Sequence, residues 1–283
     1  MLQVKILVAV VALPVLLGII YLGGWPILAL ACVLVVLGLD EFYRAMQIKG
    51  IHAVREVGWA AGLGILYAAQ WLRGEWRFGV ITGCTTGAVL LALITQLWRR
   101  KGDSTIANSG ATVFGVVYVA LLFSFFLRLR TIPLHRLAGI PPDGIRDRMG
   151  ALVLVMGAVW AMDATAQIFG RFFGTRKPWP DVSPNKTLEG SAAGLLAAML
   201  VTLGLGALIH LPPSHMVVLG AALGVLGQLG DFCKSLIKRE LGIKDFGSII
   251  PGHGGVLDRF DSLLFTMPVA YLYFRLYVLP LGP

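Results

Sequence analysis

Residues 6–39 contain no Asp, Glu, Lys or Arg. A chain with such a stretch has few ways to fold. About 20 residues in a helix cross the hydrocarbon core of a bilayer, so this run is too long for one span. Gly23-Gly24-Trp25-Pro26 supplies the break and predicts helices near 5–22 and 26–42. The first run is read as a retained helix, because no small-x-small cleavage site follows Gly24. Further uncharged runs lie at 57–72, 78–98, 104–127 and 149–162, the last continuing through Asp163 to Gly170. Residues 190–230 are again free of Asp, Glu, Lys and Arg, and Leu211-Pro212-Pro213 divides them into two helices. A last helix is predicted over 261–279. The expectation is an all-α, polytopic integral membrane protein with about nine transmembrane helices.

Composition agrees. Only 14% of the 283 residues are charged and 57% are hydrophobic, whereas a soluble domain is usually about a quarter charged. That excludes a soluble globular enzyme, a disordered chain and a fibrous protein. The net charge of +9 would point to nucleic acid in a soluble protein. Here the basic residues stand between apolar runs, where they set topology and meet anionic headgroups or phosphates, so no nucleic-acid partner is expected. Lys5, Arg44, Lys49, Arg55, Arg99, Arg100, Lys101, Arg171, Arg176, Lys177, Lys186, Lys234, Lys238, Arg239, Lys244 and Arg259 fall on one predicted side. Arg73, Arg77, Arg128, Arg130, Arg136, Arg146 and Arg148 fall on the other. The richer side is assigned to the cytoplasm, with the five arginines over 128–148 dissenting. Cys32, Cys84 and Cys233 lack CxxC spacing and read as small hydrophobes.

Chemistry concentrates late in the chain. Residues 1–150 read as five N-terminal spans with few residues suited to catalysis. Residues 151–283 read as a catalytic transmembrane region with cytoplasmic loops. Asp231 follows a long uncharged stretch, and Gln228, Asp231, Ser235 and Lys238 share one helix face. A carboxylate at this depth is costly unless it is paired or metal-bound, so an internal salt bridge and a metal site are both open. Asp163, deep in the sixth helix, poses the same choice between a functional carboxylate and an interhelical hydrogen bond. Ser183, Lys186 and Thr187 open a predicted helix, where free N–H groups and the dipole favour an anion. The same segment also reads as a plain helix start with a well-placed Glu189.

The densest segment runs from Lys238 to Asp261. Lys238, Arg239 and Lys244 precede a glycine-rich loop that contains His253, Gly254 and Gly255, and Asp258, Arg259 and Asp261 follow it. Basic side chains hold polyphosphate, and glycines let backbone N–H groups approach its oxygens. Asp258 and Asp261 face the same way if helical, and their hard oxygens suit Mg²⁺. His253 has no Cys or His at zinc-ligand spacing and reads as a hydrogen-bonding or loop-forming residue. A solvated loop is the alternative.

This segment resembles the phosphatidate cytidylyltransferases (CDP-diacylglycerol synthases). That family's pattern includes Ser-x-apolar-Lys-Arg, Lys-Asp, Pro-x-His-Gly-Gly and Asp-Arg-apolar-Asp, and it runs unbroken here from Ser235 to Asp261. Ser183 to Gly190 resembles a second family element. Asp163 followed by Gly170, Phe173 and Gly174 resembles a third, with Gln167 as a departure from it. The resemblance implies a multi-pass membrane enzyme that joins CTP to phosphatidic acid, giving CDP-diacylglycerol and pyrophosphate. It implies Mg²⁺, with Asp231 and Asp258 as principal ligands and Asp261 close by, and a second, potassium-like cation. The expected catalytic set is Asp231, Asp258, Asp261, Lys238 and Lys244. The expected substrate-binding set is Ser183, Lys186, Thr187, Ser235, Arg239, His253, Gly254, Gly255 and Arg259. Expected partners are CTP, phosphatidic acid, membrane lipids and a second copy of the chain in a homodimer, with the active site on the cytoplasmic side. Two other classes compete. A transporter would use Asp163 and Asp231 as ion sites, and a CTP-dependent polyprenol kinase would transfer the γ-phosphoryl instead.

Overall fold

The structure, a computed structural model, describes residues 2–99, 104–138, 141, 144–247 and 254–278, with side chains described from residue 12 onward. The described residues are overwhelmingly helical. In chain order the helices are α1 (Leu2–Leu22), α2 (Gly24–Gln47), α3 (Arg55–Trp71), α4 (Gly74–Arg99) and α5 (Thr105–Gly115). A π-helical stretch, Val116–Leu121, joins α5 to α6 (Leu122–Leu129). After them come α7 (Leu134–Ala138), α8 (Gly144–Phe173), α9 (Leu188–Leu208), α10 (Pro213–Leu241) and α11 (Leu257–Tyr273).

Breaks fall where the sequence places them. Gly23 and Gly24 take φ of 63° and 55°, a left-handed conformation that glycine adopts without the Cβ penalty, and this separates α1 from α2. Pro212 and Pro213 separate α9 from α10, because proline removes an N–H and crowds the preceding turn. Ser104 caps α5 by accepting from the Ala107 N–H at 3.2 Å.

Among the described residues, six helical segments are long and apolar enough to cross a membrane: Gly24–Gln47, Gly74–Arg99, Thr105–Leu129, Gly144–Phe173, Leu188–Leu208 and Pro213–Leu241. The chain is therefore read as a multi-pass membrane protein. Ala12–Leu22 is a shorter apolar helix, and α3 and α11 have 17 residues each. The expected count of about nine spans is thus not established. Helix is present at each predicted position, but length separates a short apolar helix from one that spans by itself.

The chain divides into two units. The first comprises Met1–Arg128 and Glu240–Phe260, and the second Leu129–Arg239 and Asp261–Pro283. Segment 240–260 therefore groups with the N-terminal helices, a return that a linear division at residue 150 does not contain. In the first unit α2 packs on α3, α3 on α4, and α4 on α5. Fully buried Tyr43 pins α2 to α5 by donating its hydroxyl to the Thr112 carbonyl at 2.9 Å.

In the second unit α8 packs along α9. A Cβ at Gly190 would stand 2.6 Å from the Ala166 carbonyl oxygen, and one at Gly194 2.9 Å from that of Met162. Four glycines run along α10 at the same kind of spacing. Gly220 and Gly224 face α9, Gly227 faces Met162 of α8 and Thr266 of α11, and Gly230 faces Phe265. Small residues let helix backbones approach closely, which lipid-embedded helices need because apolar contact with lipid is no worse than contact with each other. The glycine stripe ends at Gly230, which faces Phe265 and the Asp261 carbonyl of α11, and Asp231 follows it on α10.

Candidate active site

In the second unit, the polar residues of α10, α11 and the segment before α9 converge. Asp231 is half-buried on α10. Its Oδ2 is in contact with Lys186 Nζ, and its Oδ1 lies 3.3 Å from Lys234 Nζ. Lys234 Nζ also contacts Asp261 Oδ2. The two carboxyl groups lie within hydrogen-bond reach of each other. Asp163 of α8 is itself exposed, yet it is within electrostatic reach of Asp231, Asp261, Lys186 and Lys234. Two acids and two lysines thus interleave, with Asp163 at their edge. Each ion offsets what would otherwise be a costly uncompensated charge. The salt-bridge alternative for Asp231 is therefore realised in this structure.

Lys234 is the residue that sequence reading passed over. Its side chain is 7% exposed and stands between two carboxylates. The available signal was its place three residues after a deep aspartate on one helix, a spacing that puts two side chains on adjoining turns.

The segment before α9 is held by its own bonds. Thr187, buried, is the N-cap of α9 and accepts from the Gly190 N–H at 3.2 Å. Glu189 accepts from the Thr175 hydroxyl at 2.8 Å and from the N–H groups of Thr175 and Arg176. The helix-start reading of Ser183–Gly190 is thus present in the structure, and it is what aims Lys186 at Asp231. Lys186 Nζ also sits 4.2 Å from the centroid of the Phe232 ring, whose edge meets Trp179 at 4.7 Å between centroids. Arg239 donates to the Val182 carbonyl at 3.1 Å, tying the same segment to the end of α10. Ser183 donates its N–H to the Trp179 carbonyl at 3.0 Å. The Ser235 hydroxyl donates to the Asp231 carbonyl at 2.8 Å, so its oxygen turns back along its own helix. Lys238 is half-buried one turn beyond Lys234.

The first unit holds the other half of the expected set. Asp258 Oδ2 accepts from the N–H of Phe246 at 2.9 Å and of Gly255 at 3.3 Å. It therefore fastens the chain on both sides of residues 248–253. Gly254, with φ of 79°, makes the turn that leads into α11. Lys244 and Arg259 are exposed. His253 lies outside the described residues. Glu41 of α2 was not anticipated from the sequence, because the first 150 residues looked chemically sparse. It is 3% exposed and accepts from the backbone N–H of Val256 at 2.9 Å and of Leu257 at 3.0 Å.

Among the described residues no group of three or more His, Cys, Asp or Glu side chains gathers as a metal cage. The donor chemistry nevertheless fits Mg²⁺. Asp231 and Asp261 bring hard oxygens together at a point that already requires positive charge. One or two carboxylates completed by substrate phosphates is the usual protein share of a Mg²⁺ site. The three cysteines are free and bear on none of this.

Comparison with known proteins places this geometry in context. Residues 3–277 match the family model described as the cytidylyltransferase family. The chain is similar to a phosphatidate cytidylyltransferase of Staphylococcus aureus (strain COL), 32% identical over 269 residues, covering 94% of this chain and 96% of that relative. A phosphatidate cytidylyltransferase of Staphylococcus epidermidis (strain ATCC 12228 / FDA PCI 1200) is 31% identical over 272 residues, with coverages of 94% and 96%. One of Bacillus subtilis (strain 168) is 31% identical over 280 residues, with 96% of each chain covered.

Proposed function

The chain belongs to the cytidylyltransferase family, and we propose that it transfers the cytidylyl group of CTP to phosphatidic acid. The products are CDP-diacylglycerol and pyrophosphate. A phosphate oxygen of the lipid forms a bond to the α-phosphorus of CTP. The bond from that phosphorus to the α–β bridging oxygen breaks, and its electron pair leaves with pyrophosphate. The observation that carries this reading is the junction of Lys186, Asp231, Lys234 and Asp261 in a chain otherwise made to sit in lipid.

The lipid phosphate is already an anion, so the reaction asks for no strong base. It asks that two polyanions be brought together and aligned, which is a matter of position and charge. Lys186, half-exposed and on a segment fixed by the Thr187 cap, is placed to meet an incoming phosphate. Lys234 holds Asp231 and Asp261 in register. Lys238 and Arg239, on the following turn of α10, extend the positive charge for the nucleotide's phosphates, and Ser183 follows Val182, whose carbonyl Arg239 holds. Lys244, Arg259 and the backbone of Gly254 and Gly255 are assigned to phosphate as well. Asp231 and Asp261 would hold Mg²⁺, with Asp258 one helical turn before Asp261 as a further ligand. When bound, the ion supplies positive charge to the phosphates as bonding changes at phosphorus. The acyl chains stay in the bilayer, and the headgroup is met on the cytoplasmic side. Arg44, Arg55, Arg99 and the basic residues around α10 support that orientation.

Purified protein in mixed micelles is expected to release pyrophosphate from CTP only with phosphatidic acid and Mg²⁺ both present. Removing Mg²⁺ with EDTA should return the rate to background, and adding it back should restore it. Pyrophosphate release without phosphatidic acid, or substrate flux into sealed vesicles with no CTP consumed, would overturn the reading.

A further inference from the structure

Glu41 has no part in the mechanism above, yet it is among the most buried charged residues described. It lies at the end of a long apolar helix, and its partners are more than 200 residues away in sequence. Glu41 Oε1 accepts from the Val256 N–H and Oε2 from the Leu257 N–H, at 2.9 and 3.0 Å. Those are the residues on which α11 begins. The first N–H groups of a helix have no partner within it, and a carboxylate facing them is favoured by the dipole. Glu41 therefore caps α11 from α2.

It also determines which residues can flank the loop. A Cβ on Gly247 would collide with Glu41 Oε1, and one on Gly255 would stand 2.6 Å from Oε2. Both glycines are thus pressed against the Glu41 carboxylate, one on each side of residues 248–253. Asp258 Oδ2 binds the N–H groups of Phe246 and Gly255, next to the same contacts. Phe42, the neighbour of Glu41, packs against Phe246 with centroids 6.3 Å apart. Two carboxylates from distant parts of the sequence close one loop base.

We propose that Glu41 is a positioning residue for the cytidylyl transfer: by holding the N-terminus of α11 together with Gly247 and Gly255, it sets where Asp258 and the backbone of Gly254 and Gly255 meet the nucleotide. This rests on the functional reading above. It also gives the polar end of α2 a purpose that topology alone does not.

The test is Glu41→Gln in full-length protein, with Gly255→Ala as a second variant. Gln keeps the size but turns one acceptor into a donor, which then faces a backbone N–H. Ala at 255 pushes on the carboxylate from the other side. Both variants are expected to raise the KM for CTP by roughly 10–100-fold, as loss of an outer-shell partner commonly does, while the KM for phosphatidic acid stays unchanged. Hydrogen exchange in the same samples should quicken at the N–H groups of Val256 and Leu257 and remain unchanged in α8 and α9. Glu41→Gln with an unchanged KM for CTP and unchanged exchange at Val256 and Leu257 would overturn the proposal. So would a fall in kcat alone that tracks the folded fraction. If the wild type makes no CDP-diacylglycerol, the functional reading fails instead, and the exchange experiment still reports whether Glu41 holds the loop.

Discussion

Asp231→Asn is expected to lower the rate of CDP-diacylglycerol formation by roughly 10²–10³-fold, the loss typical when one preorganised charge-stabilising group is removed from a site. Asn preserves shape, removes the charge and turns one acceptor into a donor. In the wild type that charge engages Lys186 on one oxygen and Lys234 on the other. Without it, Lys234 keeps its contact with Asp261, and Lys186 loses its ion pair. Lys186 then loses the contact that aims it, and the proposed ion loses one of its carboxylate donors. The Mg²⁺ concentration for half-maximal rate should therefore rise in parallel. The check is a rate measurement across a Mg²⁺ titration. Near-normal turnover at an unchanged Mg²⁺ requirement would remove Asp231 from the site.

Lys234→Met carries the second large effect, on stability as well as on rate. The Lys234 side chain is buried, and its ammonium stands between the carboxylates of Asp231 and Asp261. Met retains most of the stem and loses the charge. Two carboxyl groups within hydrogen-bond reach are then left with Lys186 as their nearest cation, contacting Asp231 alone. Removing one partner of a buried ion pair costs about 3–5 kcal/mol, because the remaining charge stays desolvated and unpaired. The variant should melt well below the wild type in detergent. Mg²⁺ should raise its Tm by more than it raises that of the wild type, since a divalent ion can take over the neutralisation that lysine provided. Equal Tm values for the two proteins, or a Tm of the variant that ignores Mg²⁺, would contradict this description of the junction.

What could be read from the sequence follows from the physics that wrote each feature. Apolar run length and the Gly-Pro breaks located the helices, because a chain in lipid must satisfy its backbone within each segment. Which helices are spans was less legible. The 17 residues of α3 and of α11 fall short of a full span, and α11 carries Asp258, Arg259 and Asp261 in its first turns. Asp231, Asp261 and Lys186 were visible because charge is scarce there and costly. Their mutual contact was visible only as a shared helix face and a helix start. Lys234 was counted as a topology charge, since a lysine near a helix end usually extends its head to water. Here it turns inward to two acids. Glu41 was hidden for a different reason. Its partners are backbone N–H groups 215 and 216 residues away, and a backbone acceptor leaves no pattern in side-chain spacing. Thr187 looked like a phosphate group's partner and is an N-cap as well, two readings that rest on the same unpaired N–H groups.

The most direct measurement is the fate of two labels in CTP incubated with the protein, phosphatidic acid and Mg²⁺. Label in the α-phosphate is expected to pass into the chloroform-soluble lipid, and label in the γ-phosphate to remain in water as pyrophosphate. Transfer of the γ-label to lipid with CDP left behind would identify a kinase. No transfer of either label, in protein shown to be folded, would contradict a cytidylyltransferase acting on this lipid.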